Sequence, residues 1–232
     1  MLWSLIYRKL KGNRGNTMIT IYESERLINL IRDKNKRNLL AGNNFTFNEA
    51  SQKIEPVQTS KIYQGRKEKI NILPRLVQKY CKGQQFETHL QAYILQNIEN
   101  ISIFEQENIE WIGNEVSCGV GMQRVDIMLS SNLTNRKVIP IELKSVTAYP
   151  DITIQIQRYV DWIKQYYLPN RPSDIEPMII SRKIEDKITS NYSDFISALK
   201  DFNNRNNICK VRYVEFKVIC ESNEITFNEI EY

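Results

Sequence analysis

The sequence predicts an α/β fold: a mixed sheet flanked by helices, preceded by a basic, mainly helical N-terminal extension. Three observations carry this reading. Apolar runs of strand length recur from residue 109 onward, helical apolar spacings alternate with them, and the first three strands follow closely enough to form a meander. From residue 86 the predicted order is αβββαβαββ, and strands alternating with helices layer into a covered sheet.

Residues 11–16 (KGNRGN) read as a loop, and residues 21–40 place Leu27, Ile28, Leu30 and Ile31 at helical spacing. Residues 42–70 are polar, broken by Pro56 and Gly65, and read as a loop with short elements. Pro74 suits the first turn of a helix over 73–80, where the N–H it lacks would be unbonded anyway. Residues 86–97 carry Phe86, Leu90, Tyr93 and Ile94 on one helical face, continued by Ile98. Strands are expected over 109–118, 124–129 and 138–143, with Gly119 and Gly121 in the first turn. A helix over 152–167 repeats Ile152, Ile156, Tyr159, Val160 and Ile163 and ends before Pro169. A short strand over 177–181, a helix over 192–202 and a hairpin of 211–220 with 224–230 complete the chain.

Composition narrows the function. With 41% hydrophobic and 25% charged residues, the chain is of the globular class, and no run of eighteen apolar residues suggests a membrane span. A cytoplasmic location without membrane association is therefore expected. Cys81, Cys118, Cys209 and Cys220 form no C-x-x-C pair and are expected as buried thiols. His89 is the single histidine, which excludes H-E-x-x-H metalloproteases and any other mechanism needing two imidazoles in one chain. Neither a P-loop nor a G-x-S-x-G elbow occurs.

Charge is uneven. Residues 1–85 hold 17 Lys and Arg against 6 Asp and Glu, whereas residues 86–232 are net acidic. This divides the chain into a basic region for DNA contact or dimerisation and a second domain over 86–232. Arg32, Lys34, Lys36 and Arg37 form one cluster, and Lys61, Arg66, Lys67 and Lys69 another, as a polyanion-binding surface would need. A solvated helix face has the same composition.

Charged residues also interrupt strands where burial is favoured. Asp126 lies in V-D-I-M-L, and Glu142 and Lys144 lie in I-E-L-K, with fifteen residues between the carboxylates. Strand alternation points Glu142 and Lys144 to one face, roughly 7 Å apart along the chain. The neighbouring strand can bring Asp126 beside Glu142, and two adjacent carboxylates repel unless a cation lies between them. Mg²⁺, with Mn²⁺ able to substitute, suits oxygen donors such as Asp126, Glu142 and the carbonyl of Leu143. The same residues admit structural readings: a strand end for Asp126, an exposed edge for Glu142 and Lys144, a favoured helix start for Glu87.

This D…E-x-K arrangement resembles the active site of the PD-(D/E)xK nuclease superfamily. F-E-T-H-L before the meander, G-V-G-M-Q-R-V-D-I leading into the aspartate, Q-I-Q-R-Y-V-D-W on the following helix and P-M-I-I-S-R after it resemble the catalytic domain of the NucS/EndoMS DNA endonucleases, over about residues 86–182. The resemblance implies a restriction-endonuclease-like sheet and a metal-dependent endodeoxyribonuclease. It implies Asp126 and Glu142 as metal ligands and Lys144 as the residue that positions or deprotonates the attacking water. Glu87 becomes the helical acid, Gln155 orients the site with Tyr159 one turn on, and Arg124 faces a phosphate or braces the turn. Arg158 joins the DNA-binding set.

The first 85 residues depart from that family, whose N-terminal part is a β-rich dimerisation and DNA-binding domain. Structured, mismatched and specific-sequence duplexes therefore all remain open as substrates, in a restriction-type, junction-resolving or virus-encoded enzyme. Cutting both strands with one site per chain implies a homodimer. The competing reading is a DNA-binding module that keeps the fold without cleavage.

Overall fold

The computed structural model describes residues 19–34, 45–56, 70–118, 123–132, 136–166 and 174–232. The cluster Lys61, Arg66, Lys67 and Lys69 lies outside the described residues, as do Lys36, Arg37 and the glycines at 119 and 121. The described residues contain five α-helices and two sheets. The main sheet has six strands in sequential order: β3 (Ile109–Ser117), β4 (Arg124–Asn132), β5 (Arg136–Thr147), β6 (Met178–Arg182), β7 (Arg212–Ile219) and β8 (Glu224–Ile230). The meander β3-β4-β5 and the hairpin β7-β8 are antiparallel, while β5-β6 and β6-β7 are parallel. Parallel neighbours need a crossover, and helices α4 (Ile152–Tyr166) and α5 (Ser190–Arg205) supply the two.

Alternation along the strands divides the core into two layers. Ile139, Ile141 and Leu143 of β5 pack with Leu76 and Val77 of α2 (Leu73–Cys81) and with Leu90 and Ile94 of α3 (Glu87–Asn97). Val138 of β5, Met128 of β4 and Tyr213 of β7 lie in the other layer, against Ile156 and Tyr159 of α4 and Phe195 and Leu199 of α5. Glu142 and Lys144 have the parity of Val138, so the pleat turns them toward α4.

The chain divides into two compact units. One comprises Ile72–Tyr232 with the described residues up to Glu23; the other is Ser24–Asn71. The division falls earlier than the charge boundary at residue 85, because Leu76 and Val77 are buried in the main core. Helix α1 (Ile21–Lys34) starts in the first unit, and the second contains a small antiparallel hairpin, β1 (Phe45–Asn48) with β2 (Lys53–Pro56). No helix among the described residues is long and apolar enough to cross a membrane.

One cysteine expectation is corrected. Cys81, at the end of α2, and Cys220, after β7, form a disulfide across 139 positions of sequence, and both are exposed. No spacing rule signals a pair that distant; docking α2 beside the β7–β8 hairpin brings them together. Cys118 is a buried thiol and Cys209 a partly buried one.

Candidate active site

The turn after α2 sets the entry to the site. Gly83, at φ 63°, takes the left-handed conformation that glycine adopts without penalty. The Gly83 N–H donates to Tyr80 O and the Gln84 N–H to Lys79 O, the double bond of a Schellman ending. Three residues later α3 begins at Glu87. Its Oε2 accepts the N–H of Ser145, 3.0 Å away, just past Lys144 on β5.

The decisive local feature is an interruption of the sheet at Asp126. Pairing between β4 and β5 ends at Ile127 opposite Ile141, so Asp126 and Glu142 fall immediately beyond the ladder. On the other side the β3–β4 register passes from Asn114/Ile127 to Val116/Val125, skipping Glu115 and Asp126. Glu115 has a positive φ of 47°, uncommon for a residue with a Cβ. Unpaired in both directions, Asp126 directs its polar groups elsewhere. Its Oδ2 accepts the Leu143 N–H at 2.8 Å, and its carbonyl accepts the Gln91 side-chain amide at 2.8 Å.

Glu142, only 2% exposed, is held from two sides. Lys144 Nζ lies 2.5 Å from its Oε1, and the Tyr159 hydroxyl lies 2.5 Å from its Oε2. The same hydroxyl is 2.8 Å from the carbonyl of Arg124. A phenol has one hydrogen, so one of these two contacts is a hydrogen bond at any moment. Burial first, then the negative charge of Glu142, pushes the Tyr159 hydroxyl well above its ordinary value, so it stays protonated as a donor. Burial opposes the Lys144 ammonium, but Glu142 outweighs that and moves its pKa upward. Asp126 is pushed up to about 7 by burial and then by Glu142, against the lowering effect of the Leu143 N–H and Lys144. Asp126 and Glu142 thus crowd together, with the Lys144 ammonium offsetting part of their repulsion.

Glu87, Asp126, Glu142, Lys144 and Gln155, with Arg124, Arg158, Tyr159 and Gln123, line one cavity of about 390 Å³. Leu143 contributes its backbone N–H; its side chain points into the opposite core layer. Arg124 pairs with Glu115, which favours bracing the turn over contacting a phosphate. Arg158 is exposed and makes no ion pair among the described residues. His89 is not among the lining residues. A larger hollow of about 810 Å³ lies elsewhere, around Arg212. Arg212 pairs there with Glu107 and Glu229, and Lys137 with Glu176, while Glu107 Oε2 and Glu176 Oε2 are buried without a hydrogen-bond donor among the described residues.

No family model matches the chain, and neither does any curated protein or solved structure. Among the described residues no group of three or more carboxylate, thiol or imidazole side chains gathers to hold a metal. The donor set is two carboxylates, Asp126 and Glu142, beside a buried Gln155 Oε1 that has no hydrogen-bond partner among the described residues. That set fits Mg²⁺, which commonly takes one or two protein carboxylates and keeps several waters for groups such as Gln155 to orient.

Gln91 and Asn114 were not legible as site residues, yet both are buried there and joined by a 2.9 Å hydrogen bond. The available signal was helical phase. Gln91 lies four residues after Glu87, on the same face of α3.

Proposed function

We propose that the chain is a metal-dependent endodeoxyribonuclease of restriction-endonuclease-like architecture. The observation that carries this reading is the convergence of Asp126, Glu142 and Lys144 on one cavity, where two strands part between helices contributing Glu87 and Gln155. A divalent ion held by Asp126 and Glu142, with the Leu143 carbonyl as a third donor, would polarise the scissile phosphate and lower the pKa of its attacking water.

The chain's own residues do the rest. Lys144, fixed by Glu142, stabilises negative charge that develops in the transition state. Tyr159 holds Glu142 in one orientation from α4. Gln155 orients water through its free carbonyl oxygen, and Glu87 ties the start of α3 to the end of β5. Arg158 is the phosphate contact at the rim, and the basic residues of the first third are further candidates to bind DNA phosphates. A homodimer follows for double-strand cleavage.

A second reading, a DNA-binding module without cleavage, is favoured by the engagement of both Glu142 oxygens by protein groups. One experiment separates the two. Purified chain is incubated with branched, mismatched and perfect duplexes in Mg²⁺, Mn²⁺ or EDTA. Cleavage confined to the metal-containing reactions supports the nuclease; binding without cleavage of any substrate supports the module.

A further inference from the structure

We propose that Gln91, Asn114 and Glu23 form a positioning relay for Asp126, through which the first turn of α1 tunes the divalent-ion affinity of the site; this rests on reading Asp126 as an ion ligand. Asp126 is skipped by the β3–β4 register and lies beyond the β4–β5 ladder. Outside both ladders, the Asp126 carbonyl needs a donor, because a buried backbone acceptor without one is costly. Gln91 supplies it. Since a backbone carbonyl can only accept, the Gln91 nitrogen must face it, and the second hydrogen of that amide then goes to Asn114 Oδ1.

Asn114 is anchored in turn. Its N–H donates to Glu23 Oε1 at 3.3 Å. Glu23 Oε2 accepts the Thr20 N–H at 2.9 Å, while Thr20 Oγ1 accepts the Glu23 N–H at 3.1 Å, the reciprocal pair of a capping box. The Thr20 hydroxyl also donates to Ile112 O on β3, at 2.7 Å. The start of α1 is thereby fastened to β3, and Glu23, Asn114 and Gln91 are 3%, 4% and 8% exposed. A chain of buried hydrogen bonds, each end fixed by backbone, holds the Asp126 main chain where its own strand pairs are missing, and so fixes the point from which its carboxylate reaches the Leu143 N–H. Both parts of Asp126 are then set: the carbonyl by Gln91 and Oδ2 by the Leu143 N–H. Such outer groups typically change metal affinity by about 10- to 100-fold.

The test uses the full chain and two readouts, one of which needs no ion. Gln91→Met keeps length and volume but removes both donors. Calorimetric Mn²⁺ affinity should fall by about 10- to 100-fold. In EDTA, amide exchange of Leu143 should quicken by roughly tenfold, the scale of one lost hydrogen bond, while that of Ile139, deeper in β5, holds. Glu23→Ala should move both readouts the same way, and Glu23→Gln, which keeps an oxygen for the Asn114 N–H, should restore them. A purely structural role would lower the melting temperature and leave both readouts unchanged well below it; that result overturns the relay. Should Gln91→Met not fold, equal behaviour of Glu23→Ala and Glu23→Gln overturns it instead. Wild-type protein that binds no Mn²⁺ refutes the nuclease reading, while the Leu143 exchange still judges the relay.

Discussion

The Tyr159 hydroxyl stands 2.5 Å from Glu142 Oε2, joining helix α4 to strand β5 at a carboxylate whose other oxygen is held by Lys144. Removing that hydroxyl leaves a buried carboxylate short of a donor. Tyr159→Phe should cost about 1.5 to 3 kcal/mol, the range for a hydrogen bond to a charged group. Urea unfolding with an unchanged m-value measures it, and a variant as stable as wild type would show that the contact contributes nothing.

In the proposed mechanism Lys144 stabilises the negative charge that develops in the transition state. Lys144→Ala should lower cleavage by roughly 10² to 10⁴ while DNA affinity in Ca²⁺ stays within a few-fold. Cleavage at the wild-type rate on every substrate would remove Lys144 from the mechanism.

Asp126 makes stability depend on pH in a direction opposite to that of an ordinary salt-bridged carboxylate. Its pKa rises from 3.8 to about 7 on folding, through burial and then Glu142. Between those values the folded chain holds a proton that the unfolded chain has lost, so stability falls as pH rises through that window. In EDTA the melting temperature should therefore drop between about pH 4 and 7. Asp126→Asn should flatten this slope, and Mg²⁺ should offset it in wild type by replacing the proton. A wild-type profile that rises over the same range would contradict the assignment.

The two arginines of the cavity should behave differently on DNA. Arg158 is exposed and makes no ion pair among the described residues, whereas Arg124 is committed to Glu115. Arg158→Gln should reduce the slope of log K against log salt by about 0.9, one phosphate contact. Arg124→Gln should leave that slope nearly unchanged and lower stability instead. Equal slopes for wild type and Arg158→Gln would move the contact to other cations.

The disulfide closes a large loop, 139 positions of sequence. By the chain-entropy account, Cys81→Ser should cost about 3 to 5 kcal/mol. Since both cysteines are exposed, dithiothreitol should lower the melting temperature of wild type by a similar amount and leave the variant unaffected. Identical melting with and without reductant would show that the bond does not form in solution.

Local sequence patterns determined the order of elements over residues 86–232 and the strands that carry Asp126, Glu142 and Lys144. The cause is periodicity: apolar residues at strand and helix spacing must face a core, so a charged residue inside such a run is conspicuous. Tertiary structure alone decided three things. The pairing of β5 with β6 depends on how α4 folds back, and it places Tyr159 against Glu142. The skipped register at Asp126 depends on the positive φ of Glu115 and on side chains from α3, and no periodicity in β4 encodes it. The Cys81–Cys220 bond and the Glu23–Asn114–Gln91 relay join residues far apart in the chain, where only packing brings polar atoms within hydrogen-bond distance. Sequence spacing reports which face a side chain takes; its partner is chosen by whatever the fold brings to that face.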